Sequence, residues 1–296
     1  MFAICKQRLS FYCLEERIED ESMNELQIDM EFLIQESFLG YKYRKENKKL
    51  YTTDADLPKK LIYLYYSTNQ DRNFEDIPRA FINRYIKNEC ALEGVHDKEE
   101  VIGQGIMYEF AHTTDERFDI YSLLSFHKQL YSVTAFPEYS GSFRNVDVYL
   151  PGTGTEIAEW SMIRTQIRAL DPVVNDLIDR ASTLDKKNPK ELFGYIEDCI
   201  KLKCALIKIH PFFDGNGRTI RCFINYLFEL ASIPPIYIKV NERTEYHLAM
   251  NKANCENDFS GIINFYYYKI CDSIIELDIN NRIKNEKENK KLNRKS

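Results

Sequence analysis

None of the eight cysteines in this 296-residue sequence stands in a C-x-x-C pair. Cys5, Cys13, Cys90, Cys199, Cys204, Cys222, Cys255 and Cys271 are scattered, several on apolar positions of helical patterns, which argues against a zinc ribbon and for reduced core residues of a cytoplasmic protein. No apolar run approaches the length that crosses a membrane. The opening MFAICKQRLSFYC lacks the uninterrupted apolar core and small-residue cleavage site of a secretory signal. A large charge excess is also missing. With 46 acidic against 40 basic side chains the formal charge is −6, so broad nucleic-acid binding is not expected. There is no internal repeat.

What is present is helical periodicity. Acidic and apolar residues interleave in CLEERIEDESMNELQIDMEFLIQESFL, where Leu26, Met30, Leu33 and Ile34 share a face, and KKLIYLYY reads as the core of a second helix. Asp76 and Pro78 start a helix through PRAFINRYIKNECALEG that Gly94 stops. Glu93 then falls on its last turn, at the negative end of the dipole, a placement that calls for a cation. ERFDIYSLLSFHKQLY is helical. FPEYSGSFRNVDVYLPGTGTE is not, and the alternation of Val146, Val148 and Leu150 between glycines predicts a β-hairpin flap. Helices resume at MIRTQIRALDPVVNDLIDRA, KELFGYIEDCIKLKCALIKI, TIRCFINYLFELASI, EYHLAMNKAN and FSGIINFYYYKICDSIIEL. The last residues, NNRIKNEKENKKLNRKS, have no apolar face and read as a frayed tail. The fold class is therefore all-α with one small β element. Residues 1–75 form a helical N-terminal extension, 76–277 the main domain and 278–296 a polar tail.

Chemistry concentrates in HPFFDGNGRTIR, His210 to Arg221. Leu192, Ile196, Ile200, Cys204 and Ile207 make the preceding helix a buried one, so His210 leaves a rigid element, and at least one of Phe212 and Phe213 folds back as an anchor. The next helix begins near Gly215-Asn216-Gly217, where free N–H groups and the dipole favour an anion and glycine lets a phosphate come close. Arg218 and Arg221 lie three apart over the same first turn. Asp214 beside them would repel phosphate unless Mg²⁺ stood between, an arrangement that suits that ion. Taken one at a time, His210 is equally a helix cap, Asp214 an N-cap, the glycines turn formers and the arginines surface charges. Jointly they supply a proton acceptor, a metal carboxylate, an anion nest and two cations.

These residues match H-x-F-x-[D/E]-G-N-G-R-x-x-R at every fixed position, and the sequence resembles the Fic family. GSFR…VYLPG, LSFHKQL and ERTEYHLAM extend the resemblance over roughly Asp76 to Leu277. It implies an all-α core with a β-hairpin flap, and a protein adenylyltransferase that moves AMP from Mg-ATP to a Ser, Thr or Tyr hydroxyl of a target protein, the chain itself included. Under it His210 is the catalytic base, Asp214 holds Mg²⁺, and Gly215, Asn216 and Gly217 line the anion hole. Arg218 takes the β-phosphate, Arg221 the γ-phosphate, and Phe212 is the structural anchor. Residues 76–94 resemble the family's self-inhibitory helix, [S/T]-x-x-x-E-[G/N], with Glu93 as the inhibitory carboxylate. Glu89 stands where the family has Ser or Thr, so the expectation is a looser clamp, with Asn88 as the substitute for the missing hydroxyl. Transfer of UMP, phosphocholine or a phosphoryl group, and a weakly catalytic nucleotide-binding regulatory or toxin module, are the competing readings. A homo-oligomer is compatible with all of them.

Overall fold

The structure, a computed structural model, describes residues 57–68, 77–113, 117–135, 140–150 and 155–292. They fall within one compact unit, Tyr51–Ser296. The amphipathic helix expected around Leu26 to Ile34, Cys5, Cys13 and Asp76 lie outside the described residues.

Nine α-helices carry the described structure: α1 (Leu57–Thr68), α2 (Arg79–Leu92), α3 (Lys98–Thr113), α4 (Leu123–Leu130), α5 (Ile163–Ala181), α6 (Pro189–Ile209), α7 (Asn216–Leu230), α8 (Arg243–Glu256) and α9 (Ser260–Leu292). Helix α6 is the hub, packing on α5, α7, α8 and α9. Its start is set by Asn188, whose side chain accepts from the Lys190 N–H, and by Pro189 at the first helical position. Leu192, Ile196, Ile200 and Cys204 are all buried along it, whereas Ile207 is half-buried. All six described cysteines are free thiols, five of them buried and Cys255 exposed. Among the described residues no helix is long and apolar enough to cross a membrane.

Three features depart from the sequence reading. Helix α3 was not expected. Asp97 marks its start by accepting from the N–H groups of Glu99 and Glu100, but Gly103 and Gly105 weaken its helical signal. Gly103 has a packing reason, since a Cβ there would lie 1.9 Å from the Leu130 carbonyl oxygen of α4. Second, the described residues of the expected β-hairpin form no strand: 142–150 and 155–159 contain none, and 151–154 are outside the description. Val146 is 46 % and Tyr149 80 % exposed, so no buried face sets a register, and the backbone is tied to other segments instead. Arg144 N–H donates to the Pro211 carbonyl (2.9 Å) and Ala158 N–H to that of Lys208 (3.0 Å). Third, α9 continues to Leu292, so the expected boundary at 277 falls inside a helix. Propagating an existing helix adds one hydrogen bond per residue and needs no apolar face.

Helix α2 belongs to the core. Phe81 and Tyr85 are fully buried against Tyr108, Tyr237 and Leu277, and Arg84 pairs with Glu276 of α9. Burying each ring is worth about 1.5–3 kcal/mol, which fastens the helix to the core.

Candidate active site

Between α6 and α7 the chain turns sharply at His210, a non-glycine residue at φ 50°, ψ 62° in the left-handed region. Such a conformation costs about 1–3 kcal/mol and persists only where its surroundings hold it. The His210 N–H closes the helix on the Leu206 carbonyl (2.9 Å), so the residue is a helix cap as well as the histidine of the loop. Phe212 is fully buried, its ring stacked on that of His127 with centroids 3.9 Å apart, while Phe213 is exposed. Asn216 fastens the turn. Its Oδ1 accepts from the Phe212 N–H (2.8 Å) and its Nδ2 donates to the Phe212 carbonyl (2.7 Å). The Asn216 side chain is therefore committed to the loop, and only its main chain faces an anion.

Helix α7 starts after Gly215, at φ 71°, where a side chain would also run into Leu130 and Tyr131 at 2.8–2.9 Å. Thr219 makes the first intrahelical bond, to the Gly215 carbonyl (3.0 Å), which leaves the preceding N–H groups without an intrahelical acceptor. Over them lies the Glu93 carboxylate: a Cβ on Gly217 would come within 2.2 Å of Glu93 Oε1. That oxygen is 2.7 Å from Arg221 Nη2. Burial works to raise the Glu93 carboxyl, but the charge and hydrogen bond of Arg221, helped by Arg218 and His247, outweigh it and hold its pKa below the usual value. An anion thus already lies against the first turn of α7.

Each arginine also has a carboxylate of its own. Arg221 Nε donates to Glu89 Oε2 at 2.6 Å, and both side chains are inaccessible to solvent or nearly so. Desolvation dominates at Glu89 and pushes its carboxyl up despite the pairing with Arg221. Asn88 does not take the missing hydroxyl's place, because its Nδ2 donates to the Arg84 carbonyl of its own helix (2.8 Å). Instead of support being lost at position 89, a second carboxylate reaches Arg221. Arg218, 1 % exposed, pairs with Glu100 (2.7 Å) and donates from Nη2 to the Tyr131 hydroxyl (2.9 Å), which donates on to Asp214 Oδ2 (2.9 Å).

Asp214 Oδ1 accepts from the Gly215 N–H (2.7 Å), yet its side chain remains 73 % exposed at the mouth of the nest. Among the described residues no group of three or more His, Cys, Asp or Glu could hold a metal. One accessible carboxylate beside an anion nest does fit Mg²⁺, which uses one or two carboxylates together with substrate phosphates. His127 Nδ1 accepts from the Gly141 N–H (3.0 Å), so its Nε2 carries the proton and donates to the Asp214 carbonyl (3.0 Å). Burial, with the Arg144 cation acting in the same direction, lowers the His210 imidazole to about 4 against the opposing pull of the Ile207 carbonyl, Glu93 and Asp214. A neutral imidazole can accept a proton at physiological pH. Sequence reasoning missed Glu100, His127, Tyr131 and Arg144. His127 and Tyr131 lay in the helical segment ERFDIYSLLSFHKQLY and Arg144 in GSFR, and nothing local announced what they touch.

A buried helix ending in a left-handed histidine, then a glycine turn and a helix N-terminus with two arginines, is an arrangement that can hold phosphate groups, on a mostly helical fold. Residues 117–228 match the model of the Fic/DOC family, and over this stretch the chain is similar to that family. Its sequence is 24 % identical over 235 residues to protein adenylyltransferase fic-1 of Caenorhabditis briggsae, covering 70 % of this chain and 43 % of the relative. It is 24 % identical over 213 residues to protein adenylyltransferase Fic of Drosophila melanogaster, covering 69 % and 39 %. The chain thus spans less than half the length of these relatives. Among solved structures, Fic-1 (residues 134–508) of C. elegans aligns with a TM-score of 0.56 at 18 % identity, over 86 % of this chain and 73 % of that one. A Fic-domain-containing signaling protein of Bacteroides thetaiotaomicron aligns with a TM-score of 0.56 at 17 % identity, over 74 % and 94 %.

Proposed function

We propose that this chain is a self-inhibited protein adenylyltransferase that moves AMP from ATP to a Ser, Thr or Tyr hydroxyl of a protein. The observation that carries the reading is the Glu93 carboxylate lying on Gly217 and paired with Arg221, an internal anion seated where a phosphate chain would bind. The relatives named protein adenylyltransferases support the choice of nucleotide and acceptor.

In this mechanism His210, neutral because of burial and the neighbouring Arg144, takes the proton from the acceptor hydroxyl. The hydroxyl oxygen forms a bond to the α-phosphorus as the bond from that phosphorus to the oxygen bridging to the β-phosphate breaks, and pyrophosphate leaves. The main-chain N–H groups of Asn216, Gly217 and Arg218 receive phosphate oxygens, Arg218 neutralises the β-phosphate and Arg221 the γ-phosphate. Asp214 would hold Mg²⁺, which offsets phosphate charge when bound. Phe212 and Asn216 keep the loop in shape, so that most of the catalysis is positioning.

Because α2 is packed into the core, relief of inhibition is a movement of the Glu93 side chain and not of the helix. The test is intact mass spectrometry of the full chain carrying Glu93→Gly, incubated with Mg²⁺ and ATP, UTP or CDP-choline in turn. Addition of AMP from ATP supports the reading. Addition of a phosphoryl group, UMP or phosphocholine instead would replace it with another transferase of the same fold. No covalent addition to the chain or to any lysate protein would leave a nucleotide-binding regulatory module.

A further inference from the structure

The left-handed turn that presents His210 is held by a residue from a distant segment. Three consecutive carbonyls, those of residues 209, 210 and 211, all accept from Arg144. Its Nε donates to the His210 carbonyl (2.8 Å), its Nη2 to that of Ile209 (3.4 Å) and its main-chain N–H to that of Pro211 (2.9 Å). The other donors of the same guanidinium reach the Val146 carbonyl (2.8 Å) and the Ala158 carbonyl, on the two sides of the segment where a hairpin was expected. The Arg144 side chain is fully buried, with the exposed carboxylate of Asp147 at 3.5 Å as its counter-charge. Helix α6 ends at Ile209, so the carbonyls of 209 and 210 have no intrahelical partner and need donors. A planar guanidinium with five donors in a rigid fork can serve several at once, which an ammonium cannot do in the same geometry.

We infer that Arg144 is a positioning residue for the reaction: it locks the His210 turn in the geometry from which the imidazole accepts its proton, and it joins the 142–158 segment to the catalytic loop. This rests on the adenylyltransferase reading given above. The phosphate nest begins at Asn216, whose side chain fastens it to Phe212 independently of Arg144, so loosening the His210 turn leaves nucleotide binding in place. The same guanidinium is a cation beside the imidazole, which is also faced by Glu93, Asp214 and the Ile207 carbonyl.

The experiment compares Arg144→Ala, Arg144→Lys and His210→Ala in full-length Glu93→Gly protein. Self-modification from Mg-ATP is read by intact mass, Mg-ATP affinity by calorimetry, and the His210 ring by NMR titration. Arg144→Ala is expected to slow transfer by about 10–100-fold, since a displacement near 1 Å at a reacting group costs on that order. Its Mg-ATP affinity should change less than about threefold, and its His210 titration should move up towards the ordinary histidine value. Arg144→Lys should keep the His210 titration near that of the parent yet remain slow, because it retains the charge without the fork. It also decides the matter if Arg144→Ala fails to fold. The inference is overturned if Arg144→Lys transfers at the parental rate, or if Arg144→Ala keeps both rate and titration while His210→Ala is inactive. Should His210→Ala itself keep transferring AMP, the assignment of the base fails instead.

Discussion

Removing the Glu93 carboxylate should raise the proposed AMP transfer, and the structure sets the size of the effect. Glu93 Oε1 lies 2.7 Å from Arg221 Nη2 and against Gly217, so it both crowds the first turn of α7 and holds the arginine. A charge-assisted hydrogen bond of this kind is worth about 1.5–3 kcal/mol net, and the 32 % exposure of the Glu93 side chain places it towards the lower end through solvent screening. Converted to a rate, that is about a 10- to 100-fold rise for Glu93→Gly at saturating Mg-ATP. Stability should hardly change, because Arg221 keeps its second partner, Glu89, at 2.6 Å. Glu89→Gln behaves in the opposite way. It takes the charge from a fully buried pair, for which loss of one partner costs about 3–5 kcal/mol in the extreme, while Glu93 still blocks the nest. Glu89→Gln should therefore melt earlier without gaining activity, and because two carboxylates hold Arg221, the wild type should show little basal transfer. The assay follows label from α-labelled ATP into protein for wild type, each single variant and Glu93→Gly/Arg221→Ala, with thermal melts alongside. If Glu93→Gly is no faster than wild type on an acceptor that the chain demonstrably modifies, the self-inhibition argument is wrong. If Glu89→Gln alone activates, Glu89 is the main brake and the assignment of Glu93 fails.

Further outcomes follow from the same geometry. His210→Ala should bind Mg-ATP as the parent does while losing about a hundredfold to ten-thousandfold in transfer, measured by label incorporation against calorimetric affinity. With the His210 imidazole at about 4 in place of the usual 6.5, its neutral form persists on acidification, so at pH 5.5 transfer should exceed that expected for an ordinary histidine base by about tenfold, as a pH–rate profile would read. The sign for stability follows: the unfolded chain takes this proton first, so stability falls as pH drops from about 6.5 towards about 4, which urea melts at pH 7 and pH 5 would detect. Asp214→Ala should blunt the response of the rate to added Mg²⁺. Tyr131→Phe should raise the Mg²⁺ concentration needed for half-maximal rate while leaving the fold intact, because it removes only the hydroxyl between Arg218 and Asp214.

The sequence alone determined the helical class and the loop from His210 to Arg221, and the reason is locality. The imidazole, nest, carboxylate and arginines lie within twelve consecutive residues, so covalent spacing and helix geometry bring them together without reference to the rest of the chain. The same locality exposed Glu93, whose conflict with its helix dipole is a property of one turn. Tertiary structure decided what holds those groups. Glu89 meets Arg221 across 132 residues, Tyr131 meets Arg218 across 87 and Arg144 meets His210 across 66. A buried carboxylate replacing a family hydroxyl looked like a lost contact on paper, and packing made it a second grip on the arginine. Alternating valines promised a hairpin, but the described residues there form no strand: the Val146 carbonyl accepts from Arg144, and the Arg144 and Ala158 N–H groups donate to the carbonyls of Pro211 and Lys208 instead. Long-range pairing depends on which surfaces the core brings together, and no local pattern of residue types encodes that.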